Sequence, residues 1–293
     1  MKVTPFILIC GGHRLLLNVP RVMGIINITA DSFYAESRCT GEYEALQRVE
    51  QMVRNGTDIV DIGAYSTRPD ASEVGAKEEK ARLAPIFKAI TRNFPNLILS
   101  VDTFRAGVVK YLYERYGAFI VNDVTAGAAD RRMISFVVST GLPYIIMHTR
   151  GTPQTMQQLT DYKDVVGEVI AYLRKKLMEV QAAGIQQVII DPGFGFAKTV
   201  EQNHLLFNHL KDFKTLNAPL MIGISRKSMI YKPLKITPNE ALNATSALHL
   251  QALLNGASIL RVHDVAEAVQ VVKLYQYLST NIIARNEANA NLR

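Results

Sequence analysis

Two cysteines are all that the 293-residue chain contains. Cys10 and Cys39 form no CxxC pair and have no histidine at ligand spacing, which leaves two free thiols in a reducing, cytoplasmic compartment as the reading. Long apolar runs are missing as well. Met1-Lys2-Val3-Thr4-Pro5 leads into only five apolar residues before Gly11-Gly12-His13-Arg14, too few for a signal segment or a membrane span. No block of five or more Lys or Arg occurs, and aromatics are not interleaved with basic residues, so a nucleic-acid partner is not expected. No HxH follows the first apolar run, and His13, His148 and His263 are not spaced as a transition-metal set. No low-complexity linker interrupts the chain. With 48% hydrophobic residues it reads as one domain over 1–293, frayed only over 282–293.

What remains is basic and regular. The formal charge of +7 and a pI near 9.3 suit an anionic ligand, although a basic surface that serves only solubility explains them equally well. Eight short runs rich in Ile, Val and Leu recur along the chain: Val22–Ile28, Asp58–Ile62, Leu97–Val101, Ala118–Val121, Pro143–Met147, Val188–Ile190, Leu220–Ile224 and Ser258–Leu260. Runs of this length and composition predict buried parallel strands, and the spacing between them leaves room for one helix each. Eight such units predict an α/β fold, a (β/α)₈ TIM barrel. Phe6–Cys10 and Leu15–Asn18 flank Gly11-Gly12 and predict an N-terminal β-hairpin over 5–18 that covers the non-catalytic end.

Several helix ends are explicit. Asp130 caps a helix that Gly141 ends, Thr237-Pro238-Asn239-Glu240 is a capping box, and Asp264-Val265-Ala266-Glu267 resembles one. The longest helix is expected from about Asp161 to Ala183. Its apolar stripe is Val165, Val166, Val169, Ile170, Leu173, Leu177 and Val180, with Lys175 and Lys176 on the wet side.

Nearly every apolar run closes on a polar residue, and in a barrel these closers gather at one mouth. They are Asn27, Asp61, Asp102, Asn122-Asp123, His148, Asp191, Ser225-Arg226-Lys227 and Arg261-Val262-His263. Asp102, Asn122, Asp191 and Lys227 together offer the paired donors and acceptors that suit a flat heterocycle bearing an amide and an amino group. In Asp191-Pro192-Gly193-Phe194-Gly195-Phe196 the glycines admit close backbone approach, and the phenylalanines supply an apolar wall. Arg68, Arg261 and His263 fit phosphate oxygens, with the helix that follows Asp264 aiming its N-terminus at the same region. A loosely held Mg²⁺, bound through Asn27 and ligand phosphates, agrees with the hard-oxygen chemistry of that ion. Two long loops at the mouth, about 29–41 and 63–76, are expected to act as substrate lids.

The strings that carry these closers resemble the signatures of the dihydropteroate synthases, in the pterin-binding TIM-barrel family. They are Met23-Gly24-Ile25-Ile26-Asn27-Ile28-Thr29-Ala30-Asp31-Ser32-Phe33, Asp61-Ile62-Gly63-Ala64-Tyr65-Ser66-Thr67-Arg68-Pro69, Ser100-Val101-Asp102-Thr103, Val121-Asn122-Asp123, and Met147-His148 with Gly151-Thr152-Pro153. Asp191–Phe196, Ser225-Arg226-Lys227-Ser228 and Arg261-Val262-His263-Asp264 complete the set, in order from Val22 to Leu278.

The resemblance implies condensation of 6-hydroxymethyl-7,8-dihydropterin diphosphate with p-aminobenzoate in folate biosynthesis, by a homodimer. It implies that Asp102, Asn122, Asp191 and Lys227 hold the pterin, with Met147 and Phe196 also at the substrate. Arg261 and His263, with Thr67 and Arg68, would take the diphosphate, and Asn27 would meet Mg²⁺. Phe33, Pro69 and Ser228 would form the p-aminobenzoate site. Asp102, Lys227, Arg261 and His263 are the expected catalytic set. The chain departs from the family pattern at Ala30, over 34–37, at Ala64-Tyr65 and at Ala197. Two alternatives share the pterin set. A methyltetrahydrofolate-dependent methyltransferase has no use for the diphosphate clamps, and a non-catalytic pterin-binding protein has none for Lys227, Arg261 and His263.

Overall fold

The computed structural model describes residues 6–28, 41–65, 74–152 and 154–290, with backbone alone from 280 onward. Eight strands run parallel, each with its ends within two residues of an expected run. They are β3 (Arg21–Asn27), β4 (Ile59–Gly63), β5 (Ile98–Asp102), β6 (Ile120–Asp123), β7 (Tyr144–Met147), β8 (Val188–Asp191), β9 (Met221–Ile222) and β10 (Ile259–Val262). Their order is β8-β7-β6-β5-β4-β3-β10-β9, and a parallel bridge between Ile190 and Leu220 joins the two ends into a barrel. The β9 ladder is shorter than its apolar run. The Leu220 carbonyl there accepts from both Ser258 and Ile259, and the regular alternation lapses.

An antiparallel hairpin, β1 (Ile7–Cys10) and β2 (His13–Leu16), precedes the barrel as expected. Its placement follows from burial. Met23, Ile59, Ile98, Ile120, Ile145, Ile189, Met221 and Ile259, one residue from each barrel strand, form a floor. Leu8, Cys10, Leu15 and Leu17 pack onto it from below. Each such side chain contributes roughly 1.5–3 kcal/mol on burial, enough to fix the hairpin against the loss of chain entropy. Gln187 secures it further, accepting from the Ile9 N–H at 2.5 Å and donating to the Ile9 carbonyl at 3.1 Å. Burial pushes the Cys10 thiol up to about 12, so it stays unreactive at neutral pH.

The helices are α1 (Glu42–Arg54), α2 (Ala76–Asn93), α3 (Ala106–Tyr116), α4 (Arg132–Thr140), α5 (Val165–Ala182), α6 (Val200–Asn208), α7 (Ser228–Leu234), α8 (Leu242–Leu254) and α9 (Val265–Ala290). Their apolar faces pack on the outer faces of the strands in one continuous core. Asp130 bonds the Arg132 N–H at 3.2 Å and also the Ala106 N–H at 3.1 Å, so it ties the start of α4 to that of α3. Gly141, at φ 67°, ends α4 as expected. The Thr237 capping box is present, although its first turn, Pro238–Ala241, is a tighter 3₁₀ turn leading into α8.

Helix α5 starts at Val165 rather than Asp161, because the Asp164 carboxylate accepts from the N–H groups of Val166 and Gly167. Lys175 faces water, whereas Lys176 lies half-buried beside Glu179. The longest helix is α9, not α5; Val265, Ala268 and Val272 bury a seam at helical spacing that carries it on. Among the described residues no helix is long and apolar enough to cross a membrane.

Candidate active site

The parallel register brings Asn27, Gly63, Asp102 and Asn122 to one level at the C-terminal rim, on four neighbouring strands. Met147 and Asp191 are likewise paired across β7 and β8. Above them lies a cavity of about 450 Å³. Of the residues expected at the site, Asn27, Asp102, Asn122, Met147, Asp191, Phe196, Lys227, Ser228, Arg261 and His263 all line it. Phe33, Thr67, Arg68 and Pro69 lie outside the described residues, as do most of the two long loops and the departures at Ala30 and over 34–37.

A charge lattice holds the floor of the cavity. Asp61 is fully buried, and one of its oxygens accepts from the Arg261 guanidinium at 2.7 Å and from the Asn122 amide at 3.0 Å. Arg261 reaches Asp102 as well, at 2.9 Å. Burial pushes the Asp102 carboxyl up to about 7. Arg261 pulls it down, but the neighbouring carboxylates of Asp61, Glu79 and Asp123 add to the effect of burial. Asp102 is thus poised to change charge near neutral pH. Asp61 was visible in the sequence as the closer of the second run, yet its role is to orient Arg261 and Asn122 from beneath.

On the other side of the cavity, one Asp191 oxygen accepts from the Gly193 N–H at 2.7 Å. Burial raises the Asp191 carboxyl, and Lys227 opposes that shift. Lys227 donates to the Phe194 carbonyl at 2.5 Å and lies 5.1 Å from the centre of the Phe196 ring. Burial lowers its ammonium to about 8, against the pull of Asp191. The neighbouring cation has another task. Arg226 is buried, with its guanidinium bidentate on Asp264 at 2.8 and 2.9 Å and also on the carbonyls of Pro238 and Asn239. The Asp264 carboxylate, expected as a helix cap, therefore faces Arg226.

His263 is neutral. Burial pushes it down to about 3, and Arg261, Arg226, Arg48 and Lys227 add to the effect. A neutral imidazole offers the cavity a hydrogen-bond donor rather than a second cation. Lys198, which sequence reasoning passed over, is buried under the turn 193–196. It donates to the Gly193 carbonyl at 2.9 Å, to the Phe196 carbonyl at 3.0 Å and to His148 Nδ1 at 3.0 Å. Ala197 beside it stands at φ 49°, the left-handed region, which accounts for glycine being usual there in the family it resembles. Tyr65 lines the cavity and stacks edge-on against Phe104, with ring centres 5.2 Å apart.

Chemically, the cavity offers carboxylates that accept N–H groups at Asp102 and Asp191, an amide at Asn122, and cations at Lys227 and Arg261. That set can hold a planar, nitrogen-rich ring, and it can stabilise charge of both signs within one enclosure.

Comparison with known proteins points the same way. A family model described as pterin binding enzyme matches residues 23–263. The dihydropteroate synthase of Escherichia coli (strain K12) is 37% identical over 271 residues, covering 92% of this chain and 95% of its own. That of Synechocystis is 40% identical over 256 residues, covering 86% and 88%. Among solved structures, Yersinia pestis dihydropteroate synthase with a sulfonamide drug superposes with a TM-score of 0.88 at 33% identity, over 94% of this chain and 100% of the other. The Xanthomonas albilineans dihydropteroate synthase in complex with 7,8-dihydropteroate gives a TM-score of 0.81 at 32% identity, over 93% and 98%.

Proposed function

The chain belongs to the pterin binding enzyme family and, within it, to the dihydropteroate synthases, and from that premise we propose how its barrel mouth divides the work. It is a transferase of folate biosynthesis. It condenses 6-hydroxymethyl-7,8-dihydropterin diphosphate with p-aminobenzoate to give 7,8-dihydropteroate and pyrophosphate.

Asp102, Asn122, Asp191 and Lys227 hold the pterin, with Met147 and Phe196 against its ring. The observation that carries this assignment is the enclosure itself: Asp102 and Asp191 face one cavity from opposite sides, each with a cation alongside. The C–O bond to the diphosphate breaks, and its electron pair leaves with pyrophosphate. The Asp102 carboxylate faces the methylene carbon as positive charge develops there, while Arg261 and His263 receive the departing anion with Thr67 and Arg68. The p-aminobenzoate nitrogen then forms the C–N bond and loses a proton. This amine needs positioning more than activation, so no strong base is required. Phe33, Pro69 and Ser228 place it, and closure of the two long loops keeps water from the cation.

Asn27 fits a Mg²⁺ site of limited kind. Among the described residues no group of three or more His, Cys, Asp or Glu is arranged to hold a metal, and Asn27 brings one hard amide oxygen to the cavity. Such a donor suits an ion held mainly by substrate phosphates and water, which would supply charge neutralisation on the leaving group.

The whole chain, 1–293, acts as one pterin-binding domain in the cytoplasm, where a thiol such as Cys10 stays reduced. It works as a homodimer. The exposed apolar side chains Leu254, Leu274, Tyr277 and Leu278 on α8 and α9 support that reading.

Assay of the purified protein with the pterin diphosphate, p-aminobenzoate and Mg²⁺ tests the activity: dihydropteroate and pyrophosphate should appear together. Tight pterin binding without pyrophosphate release would instead mark a non-catalytic pterin-binding protein.

A further inference from the structure

Lys198 is almost wholly buried and is not among the residues that line the cavity. An ammonium has three N–H donors and no acceptor. Here each donor has one acceptor: the Gly193 carbonyl at 2.9 Å, the Phe196 carbonyl at 3.0 Å and His148 Nδ1 at 3.0 Å. The match requires His148 to be neutral with its proton on Nε2. Burial and the cations of Lys198 and Arg150 keep it neutral, pushing it down to about 2. The His148 ring is itself held edge-on by Tyr172, with centres 4.9 Å apart.

The two carbonyls bracket one turn, and that turn carries three pieces of the site. Its Gly193 N–H anchors Asp191, its Phe194 carbonyl anchors Lys227, and its Phe196 ring lines the cavity. Asn203 closes the turn from the far side, accepting from the Gly195 N–H at 2.8 Å and donating to the Lys198 and Thr199 carbonyls. Without the ammonium, the Phe196 carbonyl would lose this donor and the Gly193 carbonyl would keep only the Phe196 N–H at 3.2 Å, so the turn would lose its tie to the interior.

We propose that Lys198 is the positioning residue of the pterin half of the site: by clamping the turn 193–196 from within, it sets Asp191, Lys227 and Phe196 at the heights at which they meet the pterin. The proposal rests on the synthase reading and extends it to a side chain that touches no substrate. Holding a charge at this buried position is costly. Burial lowers the Lys198 ammonium to about 7; Asp191 supports the charge, while Lys227 and Arg150 oppose it.

The test separates the two substrates. Wild type, Lys198→Met and Lys198→Arg are compared by calorimetric binding of the pterin diphosphate and by steady-state KM for each substrate, with thermal melting alongside. Lys198→Met should weaken pterin binding at least about tenfold and leave the p-aminobenzoate KM within about twofold. Lys198→Arg, which keeps charge and donors, should recover part of the loss. Pterin affinity within twofold of wild type in Lys198→Met would overturn the proposal, and so would equal loss for both substrates or no recovery in Lys198→Arg. If Lys198→Met does not fold, His148→Leu decides: it removes one acceptor and should raise the pterin KM severalfold on its own, whereas wild-type values for both substrates refute the clamp. Failure of the wild-type protein itself to bind the pterin would refute the synthase reading instead.

Discussion

Arg261 and Asp102 meet at 2.9 Å although 159 residues separate them, because β10 and β5 lie on one arc of the barrel with only β3 and β4 between. The same guanidinium holds Asp61 from below. One cation is thus shared by two carboxylates, one fully buried and one reaching the cavity, so Asp102 can change charge while Arg261 stays anchored.

Replacement of Asp102 by Asn should separate catalysis from folding. Asp61 retains Arg261, so unfolding free energy should fall by less than about 2 kcal/mol in denaturant titration. Turnover should fall by about 10²–10³-fold, the scale of losing one charge that stabilises a transition state. A loss of stability large enough to account for the loss of turnover would refute the assignment.

The pH profile of kcat/KM for the pterin diphosphate should be bell-shaped. Activity needs Asp102 ionised, which requires pH above about 7, and Lys227 charged, which requires pH below about 8. Stability should run the other way. Between the ordinary carboxylate value of 3.8 and about 7 the folded state binds more protons at Asp102 than the unfolded chain, so this contribution is lost as pH rises. Between about 8 and 10.5 the unfolded chain binds more protons at Lys227, so that contribution returns. The site therefore works where its own contribution to stability is least. Asp102→Asn should abolish the acid limb alone, and persistence of that limb would assign it to another group.

The eight strands were legible because buried parallel strands have a compositional signature and a fixed spacing. Register then did what no single motif does, setting Asn27, Asp102 and Asn122 at one height. Lys198 was illegible for a physical reason: two of its acceptors are backbone carbonyls, which every residue possesses, and the third lies on a loop 50 positions away. Arg226 and Lys227 were equally opaque as a pair. Adjacent in sequence and both bordering the cavity, they part because Arg226 takes a left-handed φ of 53° and commits its guanidinium to Asp264, while the Lys227 ammonium goes to the Phe194 carbonyl and the Phe196 ring.

That division predicts opposite phenotypes for neighbouring substitutions. Arg226→Met leaves the half-buried Asp264 carboxylate, and the Pro238 and Asn239 carbonyls, without this partner and should cost about 3–5 kcal/mol, lowering the melting temperature by roughly 6–20 °C. The folded fraction should bind the pterin within twofold of wild type. Lys227→Met removes a desolvated cation, so melting should change little, while pterin affinity should fall at least about tenfold. Similar losses of affinity in both variants would place Arg226 in the binding site.

Two glycines in one turn provide the final contrast. A β-carbon at Gly193 would stand 2.0 Å from the His148 carbonyl oxygen, a backbone atom that β7 and the Lys198 clamp keep in place. At Gly195 the nearest atom would be Lys227 Cδ at 3.4 Å, part of a flexible side chain. Both residues have positive φ, 70° and 82°, so both alanine variants bear the left-handed penalty of about 1–2 kcal/mol. Only Gly193→Ala must also displace backbone. Its cost in chemical denaturation should be at least twice that of Gly195→Ala, and the displaced turn should weaken pterin binding as Lys198→Met does. Equal costs for the two would mean that the turn yields easily, and a turn that yields cannot serve as the fixed wall on which Asp191, Lys227 and Phe196 depend.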